Sequence, residues 1–238
     1  MKVLFIALFI VVSTLQISAQ ITLLETTEAN IVTYHPGHKY LLSHAARSFH
    51  NTLDFQKKLW NYEPTEKISV FIEDFGDFGN GGATSVPRNF ISFGISPFSY
   101  AFETSPAGER VFATLNHEMV HVAALDNSTK QDRFFQKIFS GKVEPTSEHP
   151  ISLFYAYLTS PRYFAPRWYH EGIAAYMETW MGGGVGLGLG NWDEMNFRTK
   201  VADNAKIYTA KGLSTAGTTT DFQGMSNADL YGTRFMGY

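Results

Sequence analysis

The chain has no cysteine. Disulfides are therefore excluded, as is lipid attachment through a cysteine, and any bound metal ion must be held by nitrogen and oxygen ligands. Charge is also scarce: 17% of the 238 residues are charged, with a formal net charge of -3. No basic block breaks that balance, which argues against nucleic acid as a partner. Long apolar runs are absent after the first residues. At the start, Lys2 supplies a positive end, Val3 to Val12 an apolar stretch, and Ile17-Ser18-Ala19 before Gln20 a small-residue cleavage site. Residues 1–19 thus read as a signal peptide and 20–238 as the folded domain, secreted or delivered to the periplasm or cell envelope. Ser13, Thr14 and Gln16 dilute the apolar stretch too soon for a membrane span, so no stable membrane insertion is expected. What is plentiful is apolar and aromatic: 44% hydrophobic residues, with 20 Phe and 12 Tyr. That is enough for a proper core and a globular chain.

The stretch with the clearest chemistry is Asn116-His117-Glu118-Met119-Val120-His121. It lies in a run from Ser105 to Leu125 whose apolar residues recur at helical spacing, with Ser105 placed as N-cap and Pro106 as first helical residue. Positions four apart share a helix face, so His117 and His121 can aim their imidazoles at one metal ion. Glu118 sits beside the first of them, placed to take a proton from a metal-bound water. A buried helix with two satisfied histidines is the bland alternative.

Along the rest of the chain, the stretch from Gln20 to about Thr33 predicts a short strand, with Ile31 to Tyr34 the best candidate, and His38 to Trp60 an amphipathic helix closed by Pro64. His38, His44 and His50 on it are not at ligand spacing and read as surface or half-buried residues. Lys67 to Phe75 predicts a strand, Asp77 to Gly82 a loop, and Asn89 to Phe93 a second strand. Lys130 to Phe139 reads as a short helix, Val143 to Pro150 as a polar loop, and Ile151 to Leu158 as an apolar helix or strand. Arg167 to Met181 reads as another helix. The glycine run Gly182 to Gly190 follows a helix instead of bridging a strand and a helix, so it fails the context of a phosphate loop. It reads as a mobile loop beside the cleft. No internal repeat or domain boundary stands out.

A hydrolytic zinc site needs three protein ligands. Ala124 and Asn127 stand where a metzincin would have glycine and its third histidine. Asp221 ends Gly217-Thr218-Thr219-Thr220-Asp221, which fits an aspartate-zincin pattern but lies 100 residues past His121. Glu171, on a predicted helix, is preferred to Asp221 and the other acids.

His117-Glu118-Met119-Val120-His121 followed by Trp168-Tyr169-His170-Glu171-Gly172-Ile173-Ala174 resembles the gluzincin metallopeptidases. The likeness is to the aminopeptidase-N-type catalytic domain and its bacterial peptidase MA-like relatives. The resemblance implies an α+β, thermolysin-like zincin catalytic domain. Such a domain has a small mixed sheet with an edge strand, then the HExxH helix, then a mainly helical C-terminal part. It implies zinc on His117, His121 and Glu171, with Glu118 as general base. Gly81 to Phe93 looks like the family's substrate-binding edge segment, which would put Gly82, Ala83 and Thr84 against a peptide or protein substrate. Tyr231, in Tyr231-Gly232-Thr233-Arg234-Phe235, looks like the tyrosine that assists the transition state.

This chain departs from the family pattern in two ways. Gly82 to Pro87 contains no acid to hold a substrate's free amine, so endopeptidase activity is expected over aminopeptidase activity. The 49 residues between His121 and Glu171 exceed the aminopeptidase spacing, so Lys130 to Pro166 is expected to fold back over or beside the site. Leu230 to Tyr238 looks like the opening of an apolar helix, which leaves room for a further C-terminal domain. The alternatives are a non-catalytic zinc-binding or peptide-recognition domain of a larger secreted or envelope protein, and an envelope protein whose HExxH is accidental.

Overall fold

The computed structural model describes residues 21–76, 79–96, 110–159, 167–184, 186 and 191–205. The fold is α+β. Five strands form one sheet: β1 Thr22–Glu25, β2 Ala29–Thr33, β3 Ile68–Glu73, β4 Gly81–Thr84 and β5 Phe90–Gly94. Their spatial order is β1-β2-β3-β5-β4. The three central strands run parallel, and β1 and β4 pair antiparallel at the two edges.

One face of the sheet is apolar because alternate residues point the same way. Ala29, Ile31, Ile68, Val70, Ile72, Ile91 and Phe93 are all buried there. Two helices cover that face, α1 Leu42–Trp60 and α2 Arg110–Asp126. Leu42, Ala45, Phe49 and Leu53 of the first and Leu115, Met119, Val122 and Ala123 of the second complete the cluster. The stripe expected from His38 onward is therefore real, but its first turn is tighter. Pro36–Leu41 forms a 3-10 segment, and the α-helix starts only at Leu42. This tight turn draws His38 inward, where Nε2 lies 3.4 Å from Asp74 Oδ2; it is buried instead of surface or half-buried. His44 and His50 are half-buried as expected.

Two edge strands depart from the sequence reading. The stretch from Gln20 to Thr33, where one strand is expected, holds two, β1 and β2, and β4 begins at Gly81, inside the stretch read as a loop. Glycine has poor strand propensity, and here the pairing Gly81 to Phe93 and Gly82 to Ser92 decides the matter.

The second half is helical among the described residues: α3 Lys130–Ile138, α4 Pro150–Thr159, α5 Arg167–Met181 and α6 Asn191–Ala202. The stretch Ile151 to Leu158, open between helix and strand by pattern, is the helix α4, with Pro150 in its first turn. A capping box between Thr129 and Asp132 starts α3. Val120 of α2 packs against Ala174 and Met177 of α5. The glycine run begins as a helix terminus: Gly182 N–H donates to Glu178 and Gly184 N–H to Thr179, with Gly183 and Gly184 at φ of 67° and 91°. Residues 1–19, Ser105, Pro106, Asp221, Tyr231 and 230–238 lie outside the described residues.

Candidate metal centre

The site forms where α5 crosses α2. Helical spacing stacks His117 and His121 one turn apart, with ring centroids 4.8 Å apart and planes at 76°. The contact of Ala174 and Met177 with Val120 brings α5 close enough for Glu171 to reach both rings. Glu171 Oε2 lies 3.4 Å from Nε2 of His117 and 3.4 Å from Nε2 of His121. One ligand atom from each of the three residues lies within 4.8 Å of the others. Tetrahedral donors about 2.1 Å from zinc sit roughly 3.4 Å from one another, so this set fits that ion. Two imidazole nitrogens and one carboxylate oxygen are also the donor chemistry zinc accepts where no thiolate is present.

Glu178 was not singled out from the sequence. Its Oε2 lies 3.0 Å from Nδ1 of His117, so the ring is held with Nε2 facing Glu171. Carboxylate–histidine pairs of this kind fix tautomer and orientation in metal sites. The signal was available: Glu178 lies seven residues after Glu171, two turns along the same face of α5. Thr52 Oγ1 of α1 donates to Asn116 Oδ1, anchoring the residue before His117.

Three carboxylates crowd the two histidines, and their electrostatics follow. Burial alone would push His117 down. Hydrogen bonds donated by the ring to Glu171 and Glu178, with the charge of Glu118, outweigh it, and the imidazole rises well above its ordinary value. Burial would raise Glu171, but its bonds to both rings hold it well below the usual carboxylate range. Glu118 is raised: its burial is the largest cause, the two histidines oppose it, and Glu171 and Glu178 add to it. A raised carboxylate is a stronger base once ionised, which suits a proton acceptor.

Glu118 faces β4. A Cβ built on Gly81 would lie 2.5 Å from Glu118 Oε1 and 2.8 Å from Thr114 Cγ2, so only glycine allows the strand this close. Gly82, Ala83 and Thr84 continue the strand, each partly exposed. As the last strand in the order, β4 has an outer edge that pairs with no described strand. The structure thus brings His117, His121, Glu171 and Glu118 together and sets the Gly81 end of the edge strand beside them.

At the far end of α2 is a second cluster that the sequence reading left with no role. Asp126, near the histidines in sequence, is buried and accepts from Tyr62 Oη, Thr65 N and Asn89 Nδ2 at 2.8 to 2.9 Å. Thr65 Oγ1 and Lys142 Nζ complete its shell at 2.5 and 2.7 Å. Lys142 belongs to the 49-residue spacer, so the spacer is tied to the terminal residue of the histidine helix. No protein-family model and no curated protein matches the chain.

Proposed function

We propose that the chain is a zinc-dependent peptidase of the gluzincin type, with a thermolysin-like zincin fold, acting outside the cytoplasm. The observation that carries this reading is the convergence of His117 Nε2, His121 Nε2 and Glu171 Oε2 at zinc-ligand spacing, beside the buried Glu118. Zinc bound by these three supplies Lewis acidity, which lowers the pKa of a water and polarises a peptide carbonyl.

The chain's own residues would do the rest. Glu178 holds His117 in register. Glu118 takes the proton of the attacking water and passes it to the leaving amine. The open edge of β4 accepts an extended peptide through main-chain hydrogen bonds, with Gly82, Ala83 and Thr84 in contact. Because Gly82 to Pro87 offers no acid for a free amine, cleavage within chains is favoured over N-terminal trimming. Tyr231, outside the described residues, is assigned the hydrogen bond to the developing oxyanion.

Glu118→Gln tests this reading, because it keeps the ligands and removes the base. Zinc content should stay at the wild-type level, while hydrolysis of an unstructured protein substrate falls about 10²- to 10⁴-fold. Full hydrolysis by that variant would end the mechanism. Wild type that binds zinc and captures peptides without cleaving them would make the chain a recognition domain.

A further inference from the structure

The spacer between the two zinc-ligand helices carries an unusual surface. α3 and α4 form an antiparallel hairpin: Gln131 Nε2 donates to the Leu158 carbonyl near one end, and Phe139 meets Tyr155 edge-on toward the other. Ser152, Tyr155, Ala156 and Thr159 turn inward on α4. The outward face is apolar as well. Ile151, Leu153, Phe154 and Tyr157 are exposed, Tyr157 to 82%, and α4 has no charged residue at all. On α3, Phe134 and Ile138 are exposed at 59% and 58%. Gln131, Phe135 and Ile138 share one helical face, and Gln131 reaches α4, so the exposed Ile138 borders the apolar face of α4.

The charges around this surface have one sign on the helices. Lys130, Arg133 and Lys137 are exposed along α3, and its single acid, Asp132, is buried in the capping box. Glu144 and Glu148, both exposed, lie in the connection between the helices. Lysine is depleted in protein–protein interfaces. Surface helices that lie in a bilayer interface combine Lys and Arg on the polar flank with Phe and Leu on the apolar one. Tyrosine, with a wet end and an apolar body, suits the same boundary.

We propose that the α3–α4 hairpin, residues 130–159, is a docking element for an anionic phospholipid surface. Ile151, Phe154 and Tyr157 enter the headgroup–acyl boundary, and Lys130, Arg133 and Lys137 face the lipid phosphates. This holds the chain at a membrane without spanning it; no described helix is long and apolar enough to cross one. The inference does not depend on the peptidase reading.

The test is sedimentation of the full chain with vesicles of phosphatidylcholine and phosphatidylglycerol, beside vesicles of phosphatidylcholine alone. Wild type is compared with Phe154→Ser/Tyr157→Ser and with Lys130→Glu/Arg133→Glu/Lys137→Glu. All carry the same residues 1–20, so any binding from that segment cancels. All of the substituted side chains are exposed, and unchanged melting temperatures check that the fold survives. Each variant should lose about tenfold or more of the binding to phosphatidylglycerol vesicles, since adsorption combines apolar area with attraction to anionic lipid. The charge variant should match wild type on phosphatidylcholine alone. Equal binding by all three proteins, or none by wild type, overturns the proposal. A lipid-independent dimer that Phe154→Ser/Tyr157→Ser abolishes, with no vesicle binding, would assign the face to a second copy instead.

Discussion

Glu178 Oε2 lies 3.0 Å from Nδ1 of His117, while Nε2 of the same ring faces Glu171 at 3.4 Å. The two acids lie two turns apart on α5, so one helix supplies both the proposed third ligand, Glu171, and the group that orients His117. Loss of an outer partner of this kind typically weakens metal binding about 10- to 100-fold. Glu178→Ala should fall in that range, while Glu178→Gln, which still offers an oxygen to the Nδ1 proton, should lose less. Competition for zinc against a chromophoric chelator reads both. Equal affinity in all three proteins would leave Glu178 a packing residue.

Gly81 leaves no room for a side chain between the edge strand and Glu118. An added methyl would sit 2.5 Å from Oε1, and Glu118 is buried, with little room to swing away. Gly81→Ala should therefore displace the base or push the edge strand off α2. A shift near 1 Å can cost about 100-fold in rate. The expected pattern is turnover down by that order with zinc stoichiometry unchanged. Gly82→Ala separates crowding of the base from contact with the peptide: its Cβ would meet only Ser92 Oγ at 3.9 Å, so Glu118 stays in place and any effect falls on KM and not on kcat.

Much of this was legible because periodicity and motif agreed. The stripe of α1, the helix bearing Glu171 and the C-terminal end of the HExxH helix lie within a few residues of the expected bounds, since each buries a face at regular spacing; the expected start at Ser105 and Pro106 lies outside the described residues. The parts that escaped lacked that agreement. β1 is short and half-exposed, and β4 opens on two glycines; both are strands by pairing with a neighbour. His38 lies within a 3-10 turn that no apolar spacing signals. Asp126 showed nothing in sequence, because its five partners come from residues 62, 65, 89 and 142, far along the chain.

That hub makes a stability prediction. Lys142 Nζ meets Asp126 Oδ1 at 2.7 Å and Glu66 Oε1 at 3.0 Å, with the lysine side chain 8% exposed and Asp126 fully buried. Removing one partner of a buried pair leaves a charge without compensation and costs about 3–5 kcal/mol. Lys142→Met should sit near the low end, because Tyr62, Thr65 and Asn89 still donate to the carboxylate. Asp126→Asn/Lys142→Met should cost less than the sum of its singles, by roughly 0.5–3 kcal/mol of coupling. Urea unfolding of the four proteins measures this. Strict additivity would show that the pair does not tie the spacer to the core.

The same pair fixes a pH dependence. Burial would raise Asp126, but hydrogen bonds from Lys142 and Thr65 and the lysine charge hold it below the ordinary aspartate value of 3.8. A carboxylate lowered by folding binds fewer protons in the native state than in the unfolded one. Its contribution is thus complete above pH 3.8 and is lost as pH falls from there through the folded value. Glu25, beside Lys67, and Glu171, between its histidines, shift in the same direction. Comparison with Asp126→Asn/Lys142→Met cancels those two, provided that both proteins are kept in chelator so that metal loss does not enter. Between neutral pH and pH 4 the stability difference between the proteins should stay flat. Below pH 4, wild type should lose stability faster than the double variant. Parallel curves down to acid unfolding would mean that Asp126 keeps an ordinary affinity for its proton despite its five partners.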